Sequence, residues 1–207
     1  AFVRHGARVA LIARRRARLL TLAERLGLER ALPLPADVSD FDQVRRAERA
    51  VRAWAGDVHV LANCAGVYVA ELPVWELDAA DWTRTLAVNV TGVFHAMRAF
   101  LPAMIAAGYG RILNVSSAMV SVPCASAYSV SKSAVDVLTS IVARELDATG
   151  TDICVNSIDP GSVISEMNPE GPEAATAAIG AMLRLAMLPT GGPSGQKWRA
   201  LDAAARG

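Results

Sequence analysis

The chain has 207 residues, of which 53% are hydrophobic, and a formal net charge of +1. That length and apolar content suit a single globular domain, residues 1–207, with a sizeable core. The balanced charge gives no reason to expect nucleic acid or another polyanion as partner. Cys64, Cys124 and Cys154 have neither CxxC spacing nor a paired framework, which argues against zinc or any other metal site. It argues instead for a reducing compartment and a cytoplasmic protein.

In chain order, residues 7–13 form a short apolar run after Gly6, predicted as a strand buried on both faces. Residues 15–26 carry Leu19, Leu22, Ala23 and Leu26 at helical spacing, stopped by Gly27. Residues 31–36 read as a strand that Pro33 and Pro35 push toward a sheet edge. A charged amphipathic helix over 40–54 ends at Gly56, a strand follows at 58–63, and residues 78–107 form a long helix, kinked or ended near Pro102. Asn89, His95, Arg98 and Pro102 interrupt the apolar stretch 88–107, which is therefore read as a buried helix and not a membrane span. Phe94, Met97, Leu101 and Met104 are its expected core face. A strand at 111–115, a helix at 126–149, a strand at 153–158, a helix at 172–187 and a short strand at 196–201 complete the chain.

This alternation implies a parallel sheet with helices on both faces. Such sheets place ligands at the carboxyl ends of their strands. Tyr128 and Lys132 lie four apart in the helix that follows the fourth strand, so phenol and ammonium share one face. A nearby cation favours the phenolate, and a tyrosine so tuned can serve as general acid and base. Alone, that pair is a weak signal, and a solvated surface contact is the more common reading of it.

Its neighbours change the reading. Asn63-Cys64-Ala65-Gly66 ends one strand, Asn89-Val90-Thr91-Gly92 lies in the long helix, and Ser116-Ser117 ends the next strand. Tyr128 and Lys132 follow, and Asn156-Ser157-Ile158-Asp159-Pro160-Gly161 ends the strand after them. In this order and spacing the motifs resemble the short-chain dehydrogenase/reductase family, from about residue 1 to about 170. The resemblance implies a Rossmann-type, doubly wound parallel sheet. It implies Tyr128 as proton donor and acceptor, Lys132 as the group that lowers its pKa and holds the nicotinamide ribose, Ser117 on the substrate oxygen, and Asn89 holding a water that links Lys132 to solvent. It places Asn63, Ala65 and Gly66 beside the adenine ribose, Asp37 and Val38 on adenine, and Pro160, Gly161, Val163 and Ser165 around the carboxamide. Where NAD enzymes of the family carry an acidic residue after the second strand, this chain has Ala13 and then Arg14. A guanidinium there can pair with a 2′-phosphate, so NADP is the expected cofactor and NAD the alternative.

Three departures stand out. No Gly-x-x-x-Gly-x-Gly spacing occurs. The resemblance therefore implies a fold lacking its first strand and glycine-rich phosphate loop, about twenty residues upstream of a chain truncated at its amino end, with unpaired backbone on both flanking strands. Ser117 to Tyr128 is about two residues shorter than the family spacing, which leaves Ser116 as the alternative serine. The segment 162–172, expected over the substrate, is short, and its Glu166-Met167-Asn168 offers little to read.

The remaining features read as structural. His5, His59 and His95 have no metal-spaced partners, and the four tryptophans are too scattered for a stacking platform. Cys64 and Cys154 read as small core residues, Asn114 and Asn156 as ties between strands and loops, and Arg15, Arg16 and Arg18 as an exposed helix start. The helices at 78–107 and 126–149 have family equivalents that often pair between subunits, so a homodimer or homotetramer is expected. The expected activity is NAD(P)-dependent interconversion of a carbonyl and an alcohol on a small organic substrate. A non-catalytic dinucleotide sensor or scaffold, or an inactive fragment, is the alternative.

Overall fold

The computed structural model describes residues 1–69, 71–172, 174 and 176–200. After a short 3₁₀ turn at Phe2–His5 come β1 (Val9–Ala13), α1 (Arg16–Leu26), β2 (Ala31–Pro35), α2 (Phe41–Ala55) and β3 (Val60–Asn63). Then follow α3 (Ala79–Leu86), a π-helical turn (Ala87–Thr91), α4 (Gly92–Ala107), β4 (Tyr109–Val115), α5 (Ser126–Asp147), β5 (Asp152–Asp159), α6 (Ile179–Ala186) and β6 (Lys197–Arg199). Within the predicted helix at 172–187, Ile179–Ala186 is helical, whereas residues 173 and 175, like the predicted end of the last strand at Leu201, lie outside the described residues.

All strand pairs are parallel, in two separate sheets ordered β1-β2 and β3-β4-β5-β6. Between them lies a cavity of about 550 Å³, lined on one side by Val9, Ala10 and Ile12 and on the other by Val60, Leu61 and Ala62. α2 contributes Val44 and Val51 to this slot, and α4 contributes Val93 and Ala96. Pro33 and Pro35 sit in β2, which among the described residues pairs with β1 alone, as expected of a strand with two missing donors.

The main core lies where α4 and α5 pack on β3, β4 and β5. Val93, Ala96, Met97, Phe100 and Met104 of α4 meet Ile112, Val155, Val135, Val142 and Leu146. β5 is buried along Ile153–Asp159, because helices cover both faces of a parallel sheet. α5 turns Ala127, Ser131, Val135, Thr139, Ala143 and Leu146 inward at spacings of three and four, and small residues in its first half let it approach the strand ends closely. The helical run Ala79–Ala107 is long and apolar enough to cross a membrane by length and composition. Its contacts are with α2, α5, β3 and β4. It passes through Pro102 without ending there.

Phe94 departs from the expected core face: it is 44% exposed. The helical spacing groups it with Met97 and Leu101, but the face it occupies is left uncovered, while its neighbour His95 hydrogen bonds to the Val38 carbonyl at 3.0 Å.

Two local features position the strand-end loops. Asp40 caps α2 by accepting from the Gln43 backbone at 3.0 Å, and the Gln43 amide donates back to its carboxylate at 2.9 Å. Gly92 opens α4 against the loop after β2. A Cβ there would lie 2.6 Å from Val38 Cγ2, so only glycine permits this approach.

Candidate active site

The carboxyl ends of β3, β4 and β5 bring the predicted residues to one place. Asn63 ends β3 in register with Asn114 of β4, which is in register with Ser157 of β5. A buried amide chain ties these strands to α5: Asn63 Nδ2 donates to Asn114 Oδ1 at 2.8 Å, and Asn114 Nδ2 donates to Thr139 Oγ1 at 2.9 Å. The Asn63 side chain is thus spent on the strand–helix seam. Asn156 does similar work, holding the Pro193 carbonyl at 2.8 Å and the Gln196 backbone at 3.0 Å.

Asn89 sits fully buried in the π-helical turn, a backbone irregularity frequent at functional sites. Its amide brackets Val67, accepting from the nitrogen at 2.8 Å and donating to the carbonyl at 3.0 Å. It also donates to Ser131 Oγ at 3.0 Å, and Ser131 in turn donates to the Tyr128 carbonyl at 2.7 Å. Asn89 therefore links the loop after β3 to the helix that carries the tyrosine. Gly66 lies against the same cluster. A Cβ there would come within 3.5 Å of Asn89 Oδ1 and 3.7 Å of Lys132 Nζ.

Lys132 is 4% exposed, and its ammonium donates to the Val115 carbonyl at 2.8 Å. Burial pushes its pKa down to about 8, opposed by nearby Cys64 and Asp136. Its nitrogen is 5.5 Å from the Tyr128 ring centroid. Burial raises the Tyr128 pKa, a hydrogen bond with Ser117 works the other way, and Asp159 raises it further. The expected lowering of Tyr128 by Lys132 is thus not what dominates here. The ammonium is directed to a backbone carbonyl, and desolvation outweighs the Ser117 contact.

The two serines part company. Ser116 is buried, its backbone nitrogen bonded to the Ile158 carbonyl at 2.8 Å and its hydroxyl directed at the Lys132 carbonyl at 3.4 Å. Ser117 turns toward Tyr128, and its oxygen accepts from the Met119 backbone at 3.1 Å.

The other expected cofactor residues flank this cluster. Arg14, after β1, lies 4.0 Å from the Asp37 carboxylate. The Asp37 carboxyl is held below the usual carboxylate range, chiefly by the Ser39 hydroxyl at 2.7 Å. Val38 sits under Gly92, and Ala65 is exposed between Cys64 and Gly66. The loop after β5 folds on itself: Gly161 accepts a positive φ of 80° and donates to Asp159 at 3.0 Å. Val163 donates back to the Gly161 carbonyl at 3.2 Å, and Ser165 and Asn168 exchange backbone hydrogen bonds at 3.0 and 3.1 Å. Pro160 is half-buried at the start of this loop.

Several residues escaped the sequence reading. Tyr68, two residues past Gly66, meets Tyr128 edge to face with centroids 5.0 Å apart, and its hydroxyl donates to Glu71 at 2.8 Å. Burial, then Glu71, pushes the Tyr68 hydroxyl up to about 12. Its place just beyond a strand-end motif was the available signal. Glu166 pairs with Arg15 at 2.7 Å and with Arg18, so these two arginines bind the loop after β5 and are not only an exposed helix start. Lys197 reaches the Ser117 carbonyl at 2.7 Å. No local pattern marks a contact across 80 residues. Cys64 is open to the inter-sheet cavity, not packed in the core, although enough protein surrounds its thiol for burial to raise its pKa. Among the described residues no group of metal-ligating side chains occurs.

The sequence matches the family profile described as short chain dehydrogenase over residues 1–175. The chain belongs to that family. It is 41% identical over 172 residues to galactitol 2-dehydrogenase (L-tagatose-forming) of Cereibacter sphaeroides, a match covering 81% of this chain and 66% of that one. It is 36% identical over 172 residues to D-threitol dehydrogenase of Mycolicibacterium smegmatis, covering 81% of this chain and 65% of the other. The chain thus spans somewhat less than two thirds of the length of these curated relatives. In three dimensions it superposes on the NADP-bound form of ElxO with a TM-score of 0.88 at 20% identity, covering 96% of this chain and 89% of that one, which establishes the shared fold.

Proposed function

We propose that the chain is the catalytic domain of an NADP-dependent oxidoreductase that interconverts an alcohol and a carbonyl on a small organic substrate, with NAD as the alternative cofactor. One observation carries this reading. Asn89, Ser117 and the Tyr128–Lys132 pair come from three separate stretches of sequence, yet they form one linked cluster at the strand ends.

The residues present fit the nicotinamide half of such a cofactor. Gly66 leaves the space a Cβ would fill beside Lys132 and Asn89, and Lys132 has donors beyond the one given to Val115. The loop carrying Pro160, Gly161, Val163 and Ser165 would flank the carboxamide. Arg14, Asp37 and Val38 would meet the adenosine end, with Arg14 supplying the charge for a 2′-phosphate. The nicotinamide would give or take the hydride. Tyr128 would exchange a proton with the substrate oxygen, and Ser117 would donate to that oxygen as charge develops on it. Lys132 would hold the ribose, and Asn89 would keep the Tyr128 helix and the loop after β3 in register.

Galactitol and threitol dehydrogenases are named for polyols, which supports a polyhydroxylated alcohol or its ketose as substrate class. The Tyr68–Glu71 pair beside Tyr128 offers hydroxyl partners of the right kind. Exposed Val130, Val137 and Ile141 form an apolar stripe on the outer face of α5, which supports pairing of two copies through that helix. Three free cysteines suit the cytoplasm.

The test is to follow NADPH and NADH absorbance with a panel of ketoses and simple ketones, using wild type and Tyr128→Phe. Turnover by wild type alone, faster with NADPH, is expected. Cofactor binding without turnover on any substrate would favour a sensor, and equal rates for both proteins would overturn the catalytic assignment.

A further inference from the structure

We infer that Lys197 is a positioning residue that holds Ser117 against Tyr128, and that Asp136 anchors Lys197 for this task. The inference rests on the reading of Ser117 as the donor to the substrate oxygen.

Ser117 lies two residues beyond the last residue of β4, and the final backbone bond on that side is made by Ser116 to Ile158. Sheet hydrogen bonding therefore stops one residue short of the serine that faces the phenol. Lys197 begins β6, which among the described residues pairs with β5 alone, with Lys197 in register with Ser157. From there its ammonium divides between two acceptors, the Ser117 carbonyl and Asp136 Oδ2, each at 2.7 Å. Asp136 lies on α5 four residues after Lys132 and eight after Tyr128, on the same flank of the helix. One cation thus bridges the serine loop to the helix that carries the proposed acid.

The side chains of Lys197 and Asp136 are 31% and 20% exposed, so the contact is partly shielded from water. The other carboxylate oxygen, Asp136 Oδ1, is buried with no hydrogen-bond partner among the described residues. Lys197 is the ion-pair partner of Asp136, through Oδ2 at 2.7 Å. A point charge with three donors can serve a carbonyl and a carboxylate together, which a neutral side chain cannot. Small displacements of a reacting group carry large rate penalties, so a residue outside the reacting cluster can control turnover through position alone.

The experiment is a double-mutant cycle on the purified protein with its best substrate. Lys197→Met should lower kcat by about tenfold or more with little change in the KM for cofactor, and Lys197→Arg should restore most of the loss. In a Ser117→Ala background, Lys197→Met should cause no further fall in kcat, because the group it positions is gone. Equal losses in both backgrounds would overturn the inference and mark Lys197 as generally structural. So would full activity of Lys197→Met when Ser117→Ala is impaired. Full activity of Ser117→Ala would instead reject the role given to the serine, and the positioning role with it. If Lys197→Met fails to fold, Lys197→Gln tests the same linkage: it keeps a polar side chain of similar length, removes the charge and should reduce kcat only while Ser117 is present.

Discussion

The Lys132 ammonium donates to the Val115 carbonyl at 2.8 Å, across the seam between the end of β4 and the start of α5. This bond fixes the lysine under the site while burial disfavours its charge, bringing its pKa down to about 8. Below that value the amine is charged and able to hold a ribose; above it, the charge is lost. An NMR titration of Lys132 Cε should therefore show a midpoint near pH 8 instead of the ordinary lysine range. Since the folded value lies below the unfolded one, this group makes the protein more stable as pH rises from about 8 toward the unfolded value. A midpoint above 10 would contradict the burial argument.

Tyr128→Phe removes the hydroxyl and keeps the ring that packs on Tyr68. The expected outcome is a fall in kcat of roughly 10²–10⁴-fold with cofactor affinity unchanged, measured by steady-state kinetics and cofactor titration.

Tyr68 touches Tyr128 only through ring packing, and its hydroxyl belongs to Glu71. Tyr68→Phe should keep most of kcat, while Tyr68→Ala should cost about 0.5–1.5 kcal/mol of stability beyond its lost burial and lower kcat by loosening the phenol. Denaturant melts and kinetics on the two variants separate packing from the hydroxyl.

Arg111 lies at the sheet centre, 1% exposed, with its guanidinium on the Asp152 carboxylate at 3.0 and 3.1 Å and on the carbonyls of Gly110, Asp152 and Leu188. Arg111, by hydrogen bonding, holds the Asp152 carboxyl below its usual range. Asp152→Asn leaves a buried cation without its counter-charge and should destabilise the fold by about 2–4 kcal/mol in denaturant melts. Because the carboxyl pKa is depressed, the wild-type advantage should be fully present above the ordinary aspartate range and fade as pH falls through the lowered value.

The element order was legible in the sequence because helical and strand periodicity are local properties, and short motifs sat where strands had to end. Gly27 and Gly56 stop their helices, and Tyr128 and Lys132 share a face simply because they are four apart on one helix. The departure of Phe94 from the core followed from what its neighbours leave uncovered, which its own helix does not encode.

The sequence by itself determined the parallel α/β architecture, the strand-end motifs and the shared helix face of Tyr128 and Lys132. Only the tertiary structure decided that the sheet divides around an apolar slot, that Ser117 and not Ser116 faces the phenol, and that Lys132 spends a donor on Val115. It also decided that Lys197 reaches the serine loop. The reason is physical: backbone periodicity depends on residues a few positions apart. The partner of a buried charge depends on which distant carbonyl or carboxylate packing brings within about 3 Å.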